Sequence, residues 1–238
     1  MNQITLITIC LVPSIFFMWF LYKQDKVEKE PINLLLTLFI GGISSCIISS
    51  LIIMTLKTYI PFLNDNIYSL NLIQIIIRLL FVISMVEELA KFIIGYMIVW
   101  KDKNFNYLYD GILYFSYVAL GFSTFENIIY QIQFNSYGLL PIFIRSITSI
   151  PAHICFGIFS GYLISIAKLE SYKKNGKTKK YIILSIIIPI ILHFLYNFIL
   201  LNSNKIFNII IFITYLVLLI LLSYKIILLV RKNKKEFK

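Results

Sequence analysis

Phe81-Val-Ile-Ser-Met-Val-Glu87-Glu88-Leu-Ala-Lys91-Phe-Ile-Ile-Gly95 sets two adjacent carboxylates and a lysine inside an apolar run that spans roughly 71–100. A run of that length is long enough to cross a bilayer. A carboxylate at the bilayer centre costs roughly 2.5–3.5 kcal/mol even on the most lenient insertion scale, so a chain that carries two in succession gains something from them. On a helix, Glu87 and Lys91 share a face, with Ser84 one turn the other way. Glu88 is turned from them by about 100°. The two carboxylates therefore cannot address the same atom: one is available for chemistry, and the other is tied to Lys91 or to a neighbouring helix.

The surrounding chain is of the same kind. Of 238 residues, 59% are hydrophobic, and no long polar region interrupts them. This composition predicts an all-α polytopic transmembrane bundle, with residues 1–238 as one membrane-embedded domain. Seven apolar segments of about 20 residues or more fall at roughly 4–22, 33–56, 71–100, 110–133, 139–167, 181–201 and 206–230. The third and fifth exceed the hydrocarbon thickness, so each is expected to tilt, protrude or hide a break. The first lacks a positive n-region and a small-residue cleavage site, which makes it a span and not a cleaved leader. Cys10, Cys46 and Cys155 all lie in apolar segments, and their odd number argues against a disulfide framework.

The formal charge of +11 is concentrated where it sets topology. Lys23, Lys26 and Lys29 follow the first span, and Lys101 and Lys103 follow the third. Lys168, Lys173, Lys174, Lys177, Lys179 and Lys180 follow the fifth, and Arg231, Lys232, Lys234, Lys235 and Lys238 follow the seventh. The opposite loops hold little beyond Lys57 and Lys205. The positive-inside rule then gives an outer N-terminus and an inner C-terminus. The basic inner loops are expected to meet anionic lipid headgroups. No nucleic-acid partner is expected, because no groove-reading motif accompanies the charge.

Polar residues recur inside three further segments. Glu126 and Asn127 lie in the fourth, which Asp110 is expected to open as an N-cap. In the fifth, His153 heads a stripe with Gly157 and Gly161, which places it in a helix–helix seam. Pro151 weakens the ladder beside it, and Cys155 lies about 200° round the helix from it, out of reach as a nucleophile. His193 and Asn197 in the sixth share a face, one turn after Pro189 frees a backbone carbonyl. At about 1.5 Å per residue, all of these fall in the middle or outer part of the bilayer, so a common cavity open to the outside is possible. There is no His-Glu-x-x-His and no Gly-x-Ser-x-Gly, which removes two families of protease chemistry. The spacing carries no metal signature, and neither a metal nor another cofactor is expected. What remains is a carboxylate that activates water, with His and Asn donors for an oxyanion. A transporter with a carboxylate relay, or an immunity or scaffold protein on the same fold, is the rival reading.

Four motifs in order, Glu87-Glu88-x-x-Lys91, Asp110-Gly111 leading to Gly121-Phe122-x-x-Phe125-Glu126-Asn127, Ala152-His153-x-x-Phe156-Gly157, and His193-x-x-Tyr196-Asn197, resemble the PrsW family over about 75–200. This is a family of bacterial intramembrane proteases related to the type II CAAX prenyl endopeptidases. Lys91 stands in place of an Arg one position later in those endopeptidases, and Ser149 stands where a Phe usually precedes the His; both departures favour PrsW. The resemblance implies a multi-pass protein of the bacterial plasma membrane. It implies a glutamate-dependent endopeptidase that makes the first, extracytoplasmic cut in a single-span anti-sigma factor during stress signalling. It also implies roles: Glu87 as the base with Glu88 its partner, His153 to orient water or substrate, and His193 with Asn197 as the oxyanion hole. Lys91, Glu126 and Asn127 support them.

Overall fold

In the computed structural model of the protein, which describes residues 3–26, 28–133, 139–174, 176–201, 206–232 and 236–237, every regular element is helical. Helix α1 covers Gln3–Gln24 and α2 Ile32–Tyr59. Two 3₁₀ turns, Pro61–Asn64 and Ile67–Ser69, lead into α3 (Leu72–Ile76). A π-helical stretch, Ile77–Ser84, follows without a break and continues into α4 (Met85–Val99). Then come α5 (Leu108–Gln133), α6 (Leu139–Lys173), α7 (Thr178–Leu201) and α8 (Ile206–Lys232). Among the described residues, α2 and α5 to α8 each contain a stretch long and apolar enough to cross a membrane by length and composition. The third segment is one helical run built of three pieces, as its excess length allowed. Lys205, Lys234, Lys235, Lys238 and the side chain of Cys10 lie outside the described residues.

Helix α5 is the axis of the bundle, packed against α2 on one side and α6 on the other. Glycines set both approaches. A Cβ on Gly121 would stand 1.9 Å from the Phe39 carbonyl oxygen, and one on Gly161 would stand 2.1 Å from that of Gly111. Only backbones without side chains at these points come so close, which is how helices gain packing energy where the surrounding lipid is as apolar as they are. The His153–Gly157–Gly161 stripe thus lies in the α5–α6 seam. Helix α1 is tied to the same axis by polar contacts. Ser14 and Thr124 hydroxyls meet at 2.5 Å, and the Tyr109 and Tyr117 hydroxyls each donate at 2.9 Å to carbonyls in the last turns of α1.

Two expectations are corrected. Asp110 is not the N-cap of α5; it sits in the first turn and reaches back, its carboxylate accepting from the backbone N–H groups of Asn106 (2.9 Å) and Tyr107 (2.6 Å). That is the acidic half of a capping box. Nor is Lys168 part of a loop. Helix α6 runs on to Lys173, and Lys168 is buried, its ammonium donating to the Trp100 carbonyl and lying 5.4 Å from the Phe105 ring centre. A long aliphatic stem lets lysine extend a helix past the apolar region in this way. At the Pro189 break in α7, the freed Ser185 carbonyl accepts from the Ser160 hydroxyl of α6 at 2.9 Å, so the break is also a tie between helices.

Candidate active site

The polar residues of four helices converge below the π stretch. A π-helix bonds i to i+5 and is rare, and short π segments recur at functional sites. Here it ends at Ser84, three residues before α4 delivers Glu87 and then Glu88 to the interior, where both are buried. Their assignments differ sharply. Glu88 Oε1 accepts from Lys91 Nζ at 2.5 Å and from His193 Nδ1 at 2.7 Å. Lys91, expected on the face of Glu87, therefore pairs one residue later, with Glu88. Its ammonium also donates to His153 Nδ1 at 3.0 Å and rests 4.4 Å from the Phe122 ring centre. Two polar partners and an aromatic face compensate this charge for its loss of water.

Glu87 is left over. Its Oε2 is buried without a hydrogen-bond partner, and the nearest imidazole nitrogen it faces, His193 Nε2, is 3.9 Å away. That is beyond hydrogen-bond reach. A buried, unpartnered carboxylate oxygen is costly, and it stands at a cavity wall. The cavity, of about 400 Å³, lies between α2, the π stretch and α5; Glu87, Glu126, Phe122 and Tyr130 line it, with Lys57 and Arg78.

The two histidines stand edge to face, with ring centres 5.0 Å apart. Phe156 stacks on His193 at 5.1 Å, which fixes the ring plane. His153 Nε2 faces Glu126 Oε2 at 3.4 Å. With Nδ1 taking the lysine donor, Nε2 carries the ring proton toward that carboxylate. Glu126 is held in turn by Arg145 of α6, whose Nη2 donates to it at 2.8 Å. The same guanidinium donates from Nε to Asn127 Oδ1 at 3.1 Å and lies 3.6 Å from the Tyr130 ring centre. Ser149 Oγ lies 3.4 Å from the same Glu126 oxygen.

Of the residues singled out in the sequence, Glu87, Glu88, Lys91, Glu126, Asn127, His153 and His193 thus share one contact network. Asn197 stands apart from it, half-buried, one turn beyond His193 on α7. Cys155 lines a different, apolar cavity against α1 and α8, away from the histidines. Arg145 was missed. Its signal was a single arginine two turns before His153 within an apolar segment.

The donor set also bears on metal binding. Glu87, His153 and His193 each offer a ligand atom within 4.8 Å of the others. Two imidazoles and a carboxylate suit a divalent ion such as zinc. Glu88 on His193 Nδ1 is the outer carboxylate that orients a metal-bound imidazole. With the orphaned Glu87 oxygen, the residues present fit such an ion, provided that His153 gives up the Nε2 proton it turns toward Glu126.

Comparison with known proteins completes the picture. A family profile described as "PrsW family intramembrane metalloprotease" matches residues 30–223. The chain is 32% identical to Protease PrsW of Clostridioides difficile over 218 residues, covering 91% of this chain and 87% of that protein. It is 32% identical to Protease PrsW of Oceanobacillus iheyensis over 200 residues, covering 83% and 84%. It is 27% identical to Protease PrsW of Bacillus subtilis over 198 residues, covering 80% of each. No solved structure matches it at a significant level.

Proposed function

Since the chain belongs to the PrsW family of multi-pass intramembrane proteases, we propose that it cuts a single-span anti-sigma factor near the outer face of the bacterial membrane, with Glu87 activating the attacking water. Membership in a protease family displaces the transporter and scaffold alternatives. The proposed topology is seven spans with the N-terminus out, α1 and the composite α3–π–α4 run adding to the five long apolar helices. The basic inner loops rest on anionic lipid in this arrangement.

One observation carries the mechanism: the Glu87 oxygen is free at the cavity wall while Glu88 is committed to Lys91 and His193. A base must reach its proton and must not already be spent on a partner. The 3.9 Å between Glu87 Oε2 and His193 Nε2 is a gap that one water, bonded to both, would fill. His193 donates from Nδ1 to Glu88, so its Nε2 lone pair faces that water. This moves His193 from the oxyanion, where the family resemblance put it, to the water. The water oxygen attacks the peptide carbonyl carbon while Glu87 takes its proton. The oxyanion is met by the Asn197 amide, one turn along α7. The C–N bond then breaks, and Glu87 returns the proton to the leaving amine. His153, held at both ring nitrogens by Lys91 and Glu126, is a rigid wall that orients the substrate.

If a divalent ion is resident, Glu87, His153 and His193 would hold it, and it would supply Lewis acidity toward water or the carbonyl. The family profile's description and the donor set favour this second reading, and the two are separable. Purified protein is assayed for metal content and for cleavage of co-expressed single-span anti-sigma factors, with and without a chelator. Glutamate-activated water predicts a truncated product that survives chelation at substoichiometric metal. Cleavage lost on chelation and restored by one metal equivalent would overturn it in favour of the ion. No truncated product with any anti-sigma factor would remove the proposed substrate class.

A further inference from the structure

The cavity lined by Glu87 and Glu126 is lined by two cations as well. Lys57 comes from the last turn of α2 and Arg78 from the second position of the π stretch, and both line the same cavity as Glu87 and Glu126. Among the described residues neither forms an ion pair: Arg78 gives one N–H to the Asp65 backbone carbonyl at 2.9 Å, and the Lys57 carbonyl, not its ammonium, takes the Asn64 amide at 2.8 Å. The other cations near the cluster are spent, Lys91 on Glu88 and Arg145 on Glu126. Two half-buried, uncommitted cations on separate elements, converging on the route to the base, are poised for an anion that arrives by that route.

We propose that Lys57 and Arg78 form a subsite for an acidic side chain of the substrate, on the extracytoplasmic side of the scissile bond. The inference rests on the proposed proteolysis at Glu87 and adds the chemical class of sequence that is cut. Arg78 precedes Glu87 by nine residues, or at most about 13 Å along the helix, since the wide π turns rise less per residue than α turns do. An extended strand covers that in about four residues. The preferred substrate therefore carries Asp or Glu about three to four residues outward of the cut. Arginine reads a carboxylate through paired N–H groups, and lysine adds an unoriented charge. A lipid phosphate is the competing anion. It is disfavoured because the two side chains line an inward-leading cavity.

The test is a library of single-span reporters whose outer juxtamembrane segment is randomised, expressed with the wild-type protein, with Glu87→Gln, and with the Lys57→Glu/Arg78→Glu pair. Expected is a Glu87-dependent enrichment of acidic over neutral residues at the third or fourth position, about tenfold. The charge-reversed pair should turn this into a preference for Lys or Arg. The Lys57→Gln/Arg78→Gln pair, closer in shape to the wild type and scored at equal membrane abundance, should flatten the preference. No acidic preference in the wild type, or a preference unchanged by reversal, would overturn the subsite. An equal loss on all reporters alike would assign the cations to lipid or to folding and overturn it too. Absence of any Glu87-dependent cut would instead fell the proteolysis reading, and the subsite with it.

Discussion

Helices α5 and α8 are both apolar enough to span a membrane, yet they sit oppositely. The most apolar window of α8 has a mean hydropathy of 2.8 and is 17% buried in the protein, whereas that of α5 has 1.3 and is 78% buried. In water the ranking would be reversed. In lipid the solvent is itself apolar, so the greasiest helix faces outward, and the one with glycines, hydroxyls and carboxylates is enclosed by its neighbours. Modest hydropathy in a long span is therefore the mark of the functional interior. Helix α6, at 1.6 and 78% buried, carries His153 and Arg145 and obeys the same rule.

The hardest test of this contrast is removal of chemistry from the interior without loss of shape. Glu87→Gln should lower reporter cleavage by about 10³–10⁴ while the melting temperature in detergent stays unchanged. A fall in both would make Glu87 a packing residue. Next in size is Arg145→Ala, which leaves Glu126 beside His153 without its cation. Outer partners of this kind typically contribute 10- to 100-fold, so kcat should fall by about that much. Arg145→Lys should recover only part, since a single ammonium cannot bond Glu126 and Asn127 together as the guanidinium does.

Packing gives the third comparison. Gly161→Val puts atoms where the Gly111 carbonyl lies and should cost about 1–3 kcal/mol, read as a lower melting temperature. Leu221→Ile on the exposed face of α8 should move it by less than about 0.5 kcal/mol. Equal shifts would mean that α8 is covered by a partner and not by lipid. The fourth lies outside the spans. Glu30, between α1 and α2, accepts from the Tyr114 hydroxyl, but burial outweighs that bond and pushes its carboxyl up to about 7. The folded state then holds a proton that the unfolded chain releases near 4.5, so stability should decline as pH rises from about 4.5 to 7 and level off above. Glu30→Gln should flatten this slope in a pH series of thermal melts.

Charges embedded in apolar runs were readable from the sequence, because the membrane makes each conspicuous by its cost. Glu87, Glu88, Lys91, Glu126, His153 and His193 were all found on that ground. Arg145 was overlooked because it lies six residues into its helix, where a cation also reads as an interfacial flank. That the carboxylate not used as base is tied to Lys91 was legible as well, but spacing alone does not say which one it is, because i+3 and i+4 are nearly equivalent on a helix, and His153 and His193, from other helices, decide between them. The π stretch left no trace beyond the excess length of its segment. Ile77–Ser84 is apolar apart from Arg78 and Ser84, so a change of helical period has no alternating polarity in which to register.

That stretch sets the phase of its helix. Tightening its wide turns to α with every residue kept would rotate everything outward of them by about 100° against everything inward. Glu87 would keep its neighbours while Arg78 swung out of the cavity. A frame shift of this kind would leave the blade in place and turn the guide away from it, so cleavage would survive while its choice of sequence was lost. Deleting one residue between 77 and 84 would undo the rotation, because it removes the surplus residue that the wide turns hold.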